Sequence, residues 1–160
     1  MEEKDRLLQK LREEFPAAVT EAGGFPAEDI VRVEREALPR LAELLQQKPF
    51  DCAMLLDLTC VDYLQGESCL EMVYTFFSLS RNHKLRVKAR LPENDLHIGT
   101  LTALWKNAEW LEREVFDMFG VRFDGHPDLR RILMYDGFEG HPLRKSYPLR
   151  RQQPRLPLKK

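Results

Sequence analysis

Between residues 52 and 91 the chain reads CAMLLDLTCVDY, then CLEMVYTFFSL, then LRVKARL. No other feature constrains its fold as much. The first two segments are apolar at odd and even positions alike, as in strands covered on both faces. In the third, Leu85, Val87, Ala89 and Leu91 alternate with Arg86, Lys88 and Arg90, so one face is wet. Gln65-Gly66-Glu67-Ser68 and the stretch from Ser80 to Lys84 supply the turns between them. Three neighbouring strands follow from this pattern. Cys52–Tyr63 reads as central, and Leu85–Leu91 reads as an edge strand whose positive charge discourages stray pairing.

Around these strands the spacing changes to that of helices. Leu7, Leu8 and Leu11 form one face of a helix over residues 2–14, which Pro16 ends. Ala18–Glu21 and Ile30–Glu34 alternate as short strands, with a turn at Gly23-Gly24 and Pro26. Leu38, Leu41, Leu44 and Leu45 predict a helix closed by Pro49. After Pro92, helical spacing starts near Ile98 and runs through Leu101, Leu104, Trp105, Ala108, Leu111, Val115 and Met118-Phe119 to Gly120, a helix-ending glycine. Residues 1–120 therefore form an α+β domain, a sheet with helices packed on it.

From residue 121 the periodicity fades and the charge changes sign. Residues 121–160 carry ten Lys/Arg against four acids, a net +6, whereas the first 120 carry 15 against 22, a net −7. Five of the ten prolines fall in this stretch, which favours extended backbone. The domain is thus followed by an extended basic arm, residues 121–160, of partner-docking loops. Ordering costs about 1–2 kcal/mol per residue of backbone entropy, so such an arm is ordered only where it lies on something. No apolar run reaches the length of a membrane span, and the N-terminus lacks a secretory signal. The three cysteines, Cys52, Cys60 and Cys69, have no CxxC spacing and read as small buried hydrophobes. An iron–sulfur cluster normally takes four thiolates, one more than the chain has.

Within the arm the tripeptide GHP occurs twice, at 125–127 and 140–142, each copy followed by leucine and a basic pair. His126 and His141 with Asp128, Asp136 or Glu139 match no standard metal-ligand spacing, and the arginines nearby repel a cation. There is no GxSxG, no GxGxxG and no phosphate-binding loop, and the RNA- and DNA-binding signatures are missing. What fits is protein docking: arginine forks pair with carboxylates and stack on rings, while Gly and Pro fix the shape of the loops.

The run EREVFDMFGVRFDGHPDLRRIL (112–133), continuing into GFEGHPLRKSYPL (137–149), resembles the signature of the 30-kDa subunit family of respiratory complex I, the C subunit of bacterial NADH–quinone oxidoreductase. Glu112-Arg113-Glu114, Asp117, Met118-Phe119, His126, Arg130 and Ile132-Leu133 satisfy every position of that pattern. Ser146 departs from the acid that commonly follows PLRK, and the chain ends soon afterwards. The resemblance implies a mixed or antiparallel sheet in α-β-β-α-β-β-β order. It also implies a non-catalytic subunit of the proton-pumping translocase. Such a subunit has no cofactor of its own; FMN, iron–sulfur clusters and quinone belong to its partners. The expected partners are the 49-kDa-type (D) subunit and the 20-kDa-type (B) subunit, with other peripheral-arm subunits. The expected location is peripheral, on the cytoplasmic side of the cell (inner) membrane. Arg130, Arg131, Arg144, Lys145, His126 and His141 are then expected at the docking surface. Glu112, Arg113, Glu114 and Asp117 are expected to form a charge network fixing the helix end against the loop. Two simpler readings compete: an exposed i,i+4 pair for Arg113–Asp117, and capping within the loops for the histidines. The alternative assembly is a membrane-bound nickel–iron hydrogenase or another relative of complex I.

Overall fold

The computed structural model describes residues 3–16, 19–22, 29–63 and 70–154. The turns expected at Gly23-Gly24 and at 65–68, together with Cys69 and the last six residues, lie outside them. The elements in chain order are α1 (Glu3–Glu14), β1 (Val19–Ala22), β2 (Asp29–Val33), α2 (Leu38–Gln46), β3 (Met54–Asp62), β4 (Leu70–Ser78), β5 (His83–Leu91), β6 (His97–Gly99), α3 (Ala108–Phe119) and β7 (Arg122–Asp124). The order α-β-β-α-β-β-β is therefore present, with β6, α3 and β7 appended. No helix among the described residues is long and apolar enough to cross a membrane.

Five strands form one mixed sheet in the order β1-β2-β5-β4-β3, in which only the β2–β5 pair is parallel. Two sequence expectations change here. β5 lies inside the sheet, between β2 and β4, and β3 lies at its edge. Alternation shows which face of a strand is wet, and says nothing about which side it pairs on. The cations of β5 sit on the outer face, where Lys88 and Arg90 meet Glu71 of β4 at 3.0 and 3.7 Å. At β3 the register shifts between Leu55 and Asp57, so Leu56 and Asp57 are both exposed beside Thr75.

The inner face carries the core. Leu70, Met72, Tyr74 and Phe76 of β4 and Leu85, Val87, Ala89 and Leu91 of β5 are buried. They belong to one cluster with Leu7 and Leu11 of α1, Leu38, Leu41 and Leu45 of α2, and Val115, Met118 and Phe119 of α3. Each such large apolar side chain contributes about 1.5–3 kcal/mol on burial. Cys52 and Cys60 are free, buried thiols, and burial pushes their pKa up to about 11 and about 12.

The last helix starts ten residues later than its apolar spacing predicts. Ile98 lies in β6, which pairs in parallel with β7 through Ile98↔Phe123. Leu101 and Trp105 are buried from a turn in which the Leu104 and Trp105 amides both donate to the Leu101 carbonyl. Tight turns bury every third or fourth residue, and so imitate a helix in sequence. α3 begins just after Asn107, whose side-chain Nδ2 donates to the Leu55 carbonyl of β3 at 2.8 Å. It ends at Gly120, left-handed at φ 82°, as its sequence predicts. From Gly125 to residue 154 the chain has no helix or strand.

Candidate functional site

α3 buries Val115, Met118 and Phe119, and on the same helix Glu112, Arg113 and Asp117 are buried too. Buried charges are costly unless hydrogen bonds or opposite charge compensate them. Glu112 finds its compensation in the loop after β6, and Arg113 and Asp117 find theirs in residues 130–134 of the arm. Glu112 accepts hydrogen bonds from the Leu101 amide (2.7 Å) and the Thr100 hydroxyl (2.5 Å). Burial raises its pKa to about 7, and the two hydrogen bonds offset only part of that. Arg113 donates to the carbonyls of Arg130 and Arg131, both at 3.0 Å, with its guanidinium 5.2 Å from the Trp110 ring centre. Asp117 Oδ2 accepts the backbone amides of Ile132 (3.1 Å), Leu133 (2.8 Å) and Met134 (2.8 Å). Its Oδ1 pairs with Arg131 at 2.6 Å. Burial alone would raise the Asp117 pKa. The Met134 amide, Arg131 and the Leu133 and Ile132 amides outweigh it and hold the carboxyl below its ordinary range.

The four residues expected to share a charge network do not form one: Glu112, Arg113 and Asp117 each bond to groups outside that set. Asp117 pairs with Arg131 of the arm rather than with Arg113, and Glu114 is exposed. Arg131 continues inward: it donates to the Gly140 carbonyl at 3.0 Å and stacks over Phe138. The clasp thus joins α3 to both halves of the arm.

The GHP repeat completes it. Gly125 and Gly140 both take positive φ, 84° and 90°, and each turns the following histidine toward α3. His126 Nε2 donates to the Glu109 carbonyl at 3.1 Å, while its Nδ1 accepts the Asp128 amide at 3.0 Å. His141 Nδ1 donates to the Asp117 carbonyl at 3.0 Å. The two carbonyls are eight residues apart, about 12 Å along the helix. The repeat is a two-point staple of the arm onto α3. Further along, the Leu143 amide donates to the Met118 carbonyl and the Lys145 amide to Asp62 Oδ2 of β3.

Of the six residues expected at the docking surface, His126, His141 and Arg131 make these internal bonds. Arg144 is largely covered, 3.7 Å from Glu93. Arg130, paired with Asp128, and Lys145 remain exposed. Large apolar residues are exposed as well: Trp110, which the sequence pattern did not single out, and Leu133, both 57% exposed, with Leu143 and Leu149. Trp110 is out of phase with the apolar stripe of α3, which was the available signal. Among the described residues no group of three or more His, Cys, Asp or Glu is placed to hold a metal ion.

Residues 31–153 match the family described as respiratory-chain NADH dehydrogenase, 30 Kd subunit. The NADH-quinone oxidoreductase C subunit of Geobacter sulfurreducens is 43% identical over 150 residues, covering 93% of this chain and 92% of that protein. The NADH-quinone oxidoreductase C/D subunit of Proteus mirabilis is 42% identical over 154 residues, 91% of this chain but 26% of that protein. Among solved structures, a trypsin-resistant fragment (1-134) of Nqo5 superposes with a TM-score of 0.68 at 31% identity, covering 79% of this chain and 98% of the fragment. By sequence and fold the chain belongs to the 30-kDa subunit family of respiratory-chain NADH dehydrogenase, and its partners are the other subunits of NADH–quinone oxidoreductase.

Proposed function

We propose that the chain is a non-catalytic, scaffolding subunit of the peripheral arm, docked on the 49-kDa-type subunit and next to the 20-kDa-type subunit. On this reading FMN, the iron–sulfur clusters and quinone are bound by partner subunits, and the assembly lies on the cytoplasmic side of the cell membrane. One observation carries it: in the C/D protein of Proteus mirabilis, the counterpart of this chain is a quarter of a longer polypeptide. Joining two subunits covalently preserves function where they are neighbours, because the linker supplies the effective concentration that contact would otherwise provide.

The surface offered for docking flanks the clasp. Trp110 and Leu133 are large, exposed and apolar, and Arg130 stands beside them on the arm. Aromatic and arginine side chains at the centre of such a patch carry most interface energy. The clasp itself shapes this surface without touching the partner. The test is the double variant Arg130→Glu with Leu133→Glu, introduced into a host that depends on this chain. The variant is expected to keep a wild-type circular dichroism spectrum, to be missing from the complex on native gels, and to lower membrane NADH–quinone activity at least tenfold. Normal assembly and activity would overturn the proposal.

A further inference from the structure

From Tyr135 to Arg151 the arm is built of β-turns. The Phe138 amide donates to the Tyr135 carbonyl, Arg144 to His141, Tyr147 to Arg144 and Arg151 to Pro148, at 2.9–3.2 Å. In a turn closed this way the two central residues stand at the corner. His141, Arg144, Tyr147 and Arg151, at the ends of the last three turns, are used inside the molecule. His141 holds the Asp117 carbonyl, and Arg144 lies 3.7 Å from Glu93. Tyr147 stacks on Phe138 and takes the Gln153 side-chain amide, and Arg151 pairs with Glu139 at 2.7 Å. The corners face outward. Leu143 is 54% exposed and Leu149 fully, and Lys145 and Arg150 are exposed too. Among the described residues the Lys145 and Arg150 side chains meet no carboxylate; Asp62 takes only the Lys145 backbone amide. Beyond the first turn, whose corner is Asp136-Gly137, the corners thus carry two unpaired cations and no acid.

Turn corners normally take Gly, Pro, Asn, Asp or Ser, which suit the backbone there. Pro142 and Ser146 follow that rule. Leucine at two corners serves no local purpose, and a leucine held in water forgoes the stabilisation of burial. Because the turns are anchored through their ends, the corners are presented in one arrangement and lose little entropy on binding. We infer that Leu143, Lys145, Leu149 and Arg150 form a second docking strip, and that the subunit it meets offers apolar sockets for the leucines, flanked by carboxylates for Lys145 and Arg150. The unpaired cations select an acidic partner surface and oppose a basic one. The PLRK motif is thereby divided: Arg144 holds its turn on the body beside Glu93, and Lys145 faces the partner. Anionic lipid would attract the same cations, but a fluid surface gains nothing from side chains fixed on successive turns, whereas a protein surface with fixed sockets does.

The inference rests on the chain's assembly with other subunits, and photo-crosslinking of the purified complex separates the two. p-Benzoylphenylalanine is placed at Leu149 on the strip, and in a second protein at Trp110 beside the clasp. The Leu149 probe is expected to join a segment of another subunit that is richer in acids than in bases. Lys145→Glu with Arg150→Glu is expected to leave the circular dichroism spectrum of the free chain unchanged and its melting temperature within about 2 °C, because neither side chain has a partner to lose. In the complex the same variant is expected to lower the Leu149 yield at least tenfold while the Trp110 product persists. No product from Leu149 would overturn the inference. So would a product with lipid, with this chain or with a second copy of it, a joined segment richer in bases, or a yield indifferent to charge reversal. A Leu149 product of the expected kind without any product from Trp110 would uphold the strip and count against docking beside the clasp.

Discussion

Glu112 lies between Thr100 and Leu101 and accepts hydrogen bonds from neutral groups only, so burial sets its protonation. A carboxyl raised from 4.5 to about 7 on folding contributes stability fully at pH values below about 4.5. That contribution is lost as the pH rises through about 7, because ionisation then opposes folding. The size is on the order of 3 kcal/mol. Glu112→Gln keeps the shape and neutrality of the protonated acid. The wild-type urea midpoint is expected to fall between pH 5.5 and 8, and that of Glu112→Gln to exceed it at pH 8. Parallel pH curves for the two proteins would refute the assignment. Asp117 has the opposite sign: its contribution is present above about 3.8 and lost as the pH falls. Two acids five residues apart on one helix thus titrate in opposite senses, because one meets neutral donors and the other four donors that include a guanidinium.

At the scale of elements, the C-terminus of α3 is where helix and arm meet. Gly120 is left-handed, and a Cβ there would stand 2.7 Å from the His141 ring. Gly120→Ala therefore adds backbone strain of about 1 kcal/mol or more and displaces the ring from the Asp117 carbonyl. Each kcal/mol lowers the melting temperature of a chain this size by about 2–4 °C, so calorimetry should show a drop of several degrees. The elements themselves were legible where periodicity is long: α1, α2 and β2 to β5 fall within a few residues of their expected ends. The start of α3 was not legible, because a buried turn at Leu101–Trp105 has the spacing of a helix. The interior place of β5 was not either, since cross-strand neutralisation by Glu71 leaves no mark in the sequence of β5.

Across the whole molecule the arm is part of the fold. The sequence showed it as basic, aperiodic and rich in proline; Arg122–Asp124 form β7, and residues 125–154 carry no helix or strand. What the sequence could not show is that the carbonyls, amides and arginine of the arm are the missing partners of α3, because those contacts join residues 14 to 25 positions apart with no periodic pattern. Two truncations test this. Ending the chain after Asp124 leaves Arg113 and Asp117 buried without partners, at a cost of at least about 5 kcal/mol, enough to prevent folding of a marginally stable domain. Ending it after Asp136 keeps residues 130–134 on α3, and should leave a folded domain melting within several degrees of the full chain. Equal stability of both truncated chains would show that the clasp contributes little. There is also a consequence for the life of the subunit before assembly. β3 is an edge strand with exposed apolar residues, the kind of surface that templates fibrils. Its bulge at Leu55–Asp57, where the Asn107 side chain also holds the Leu55 carbonyl, and the arm at Asp62 interrupt that edge at two points. A second chain cannot extend the sheet along an edge broken this way, so copies made ahead of their partners can accumulate without polymerising.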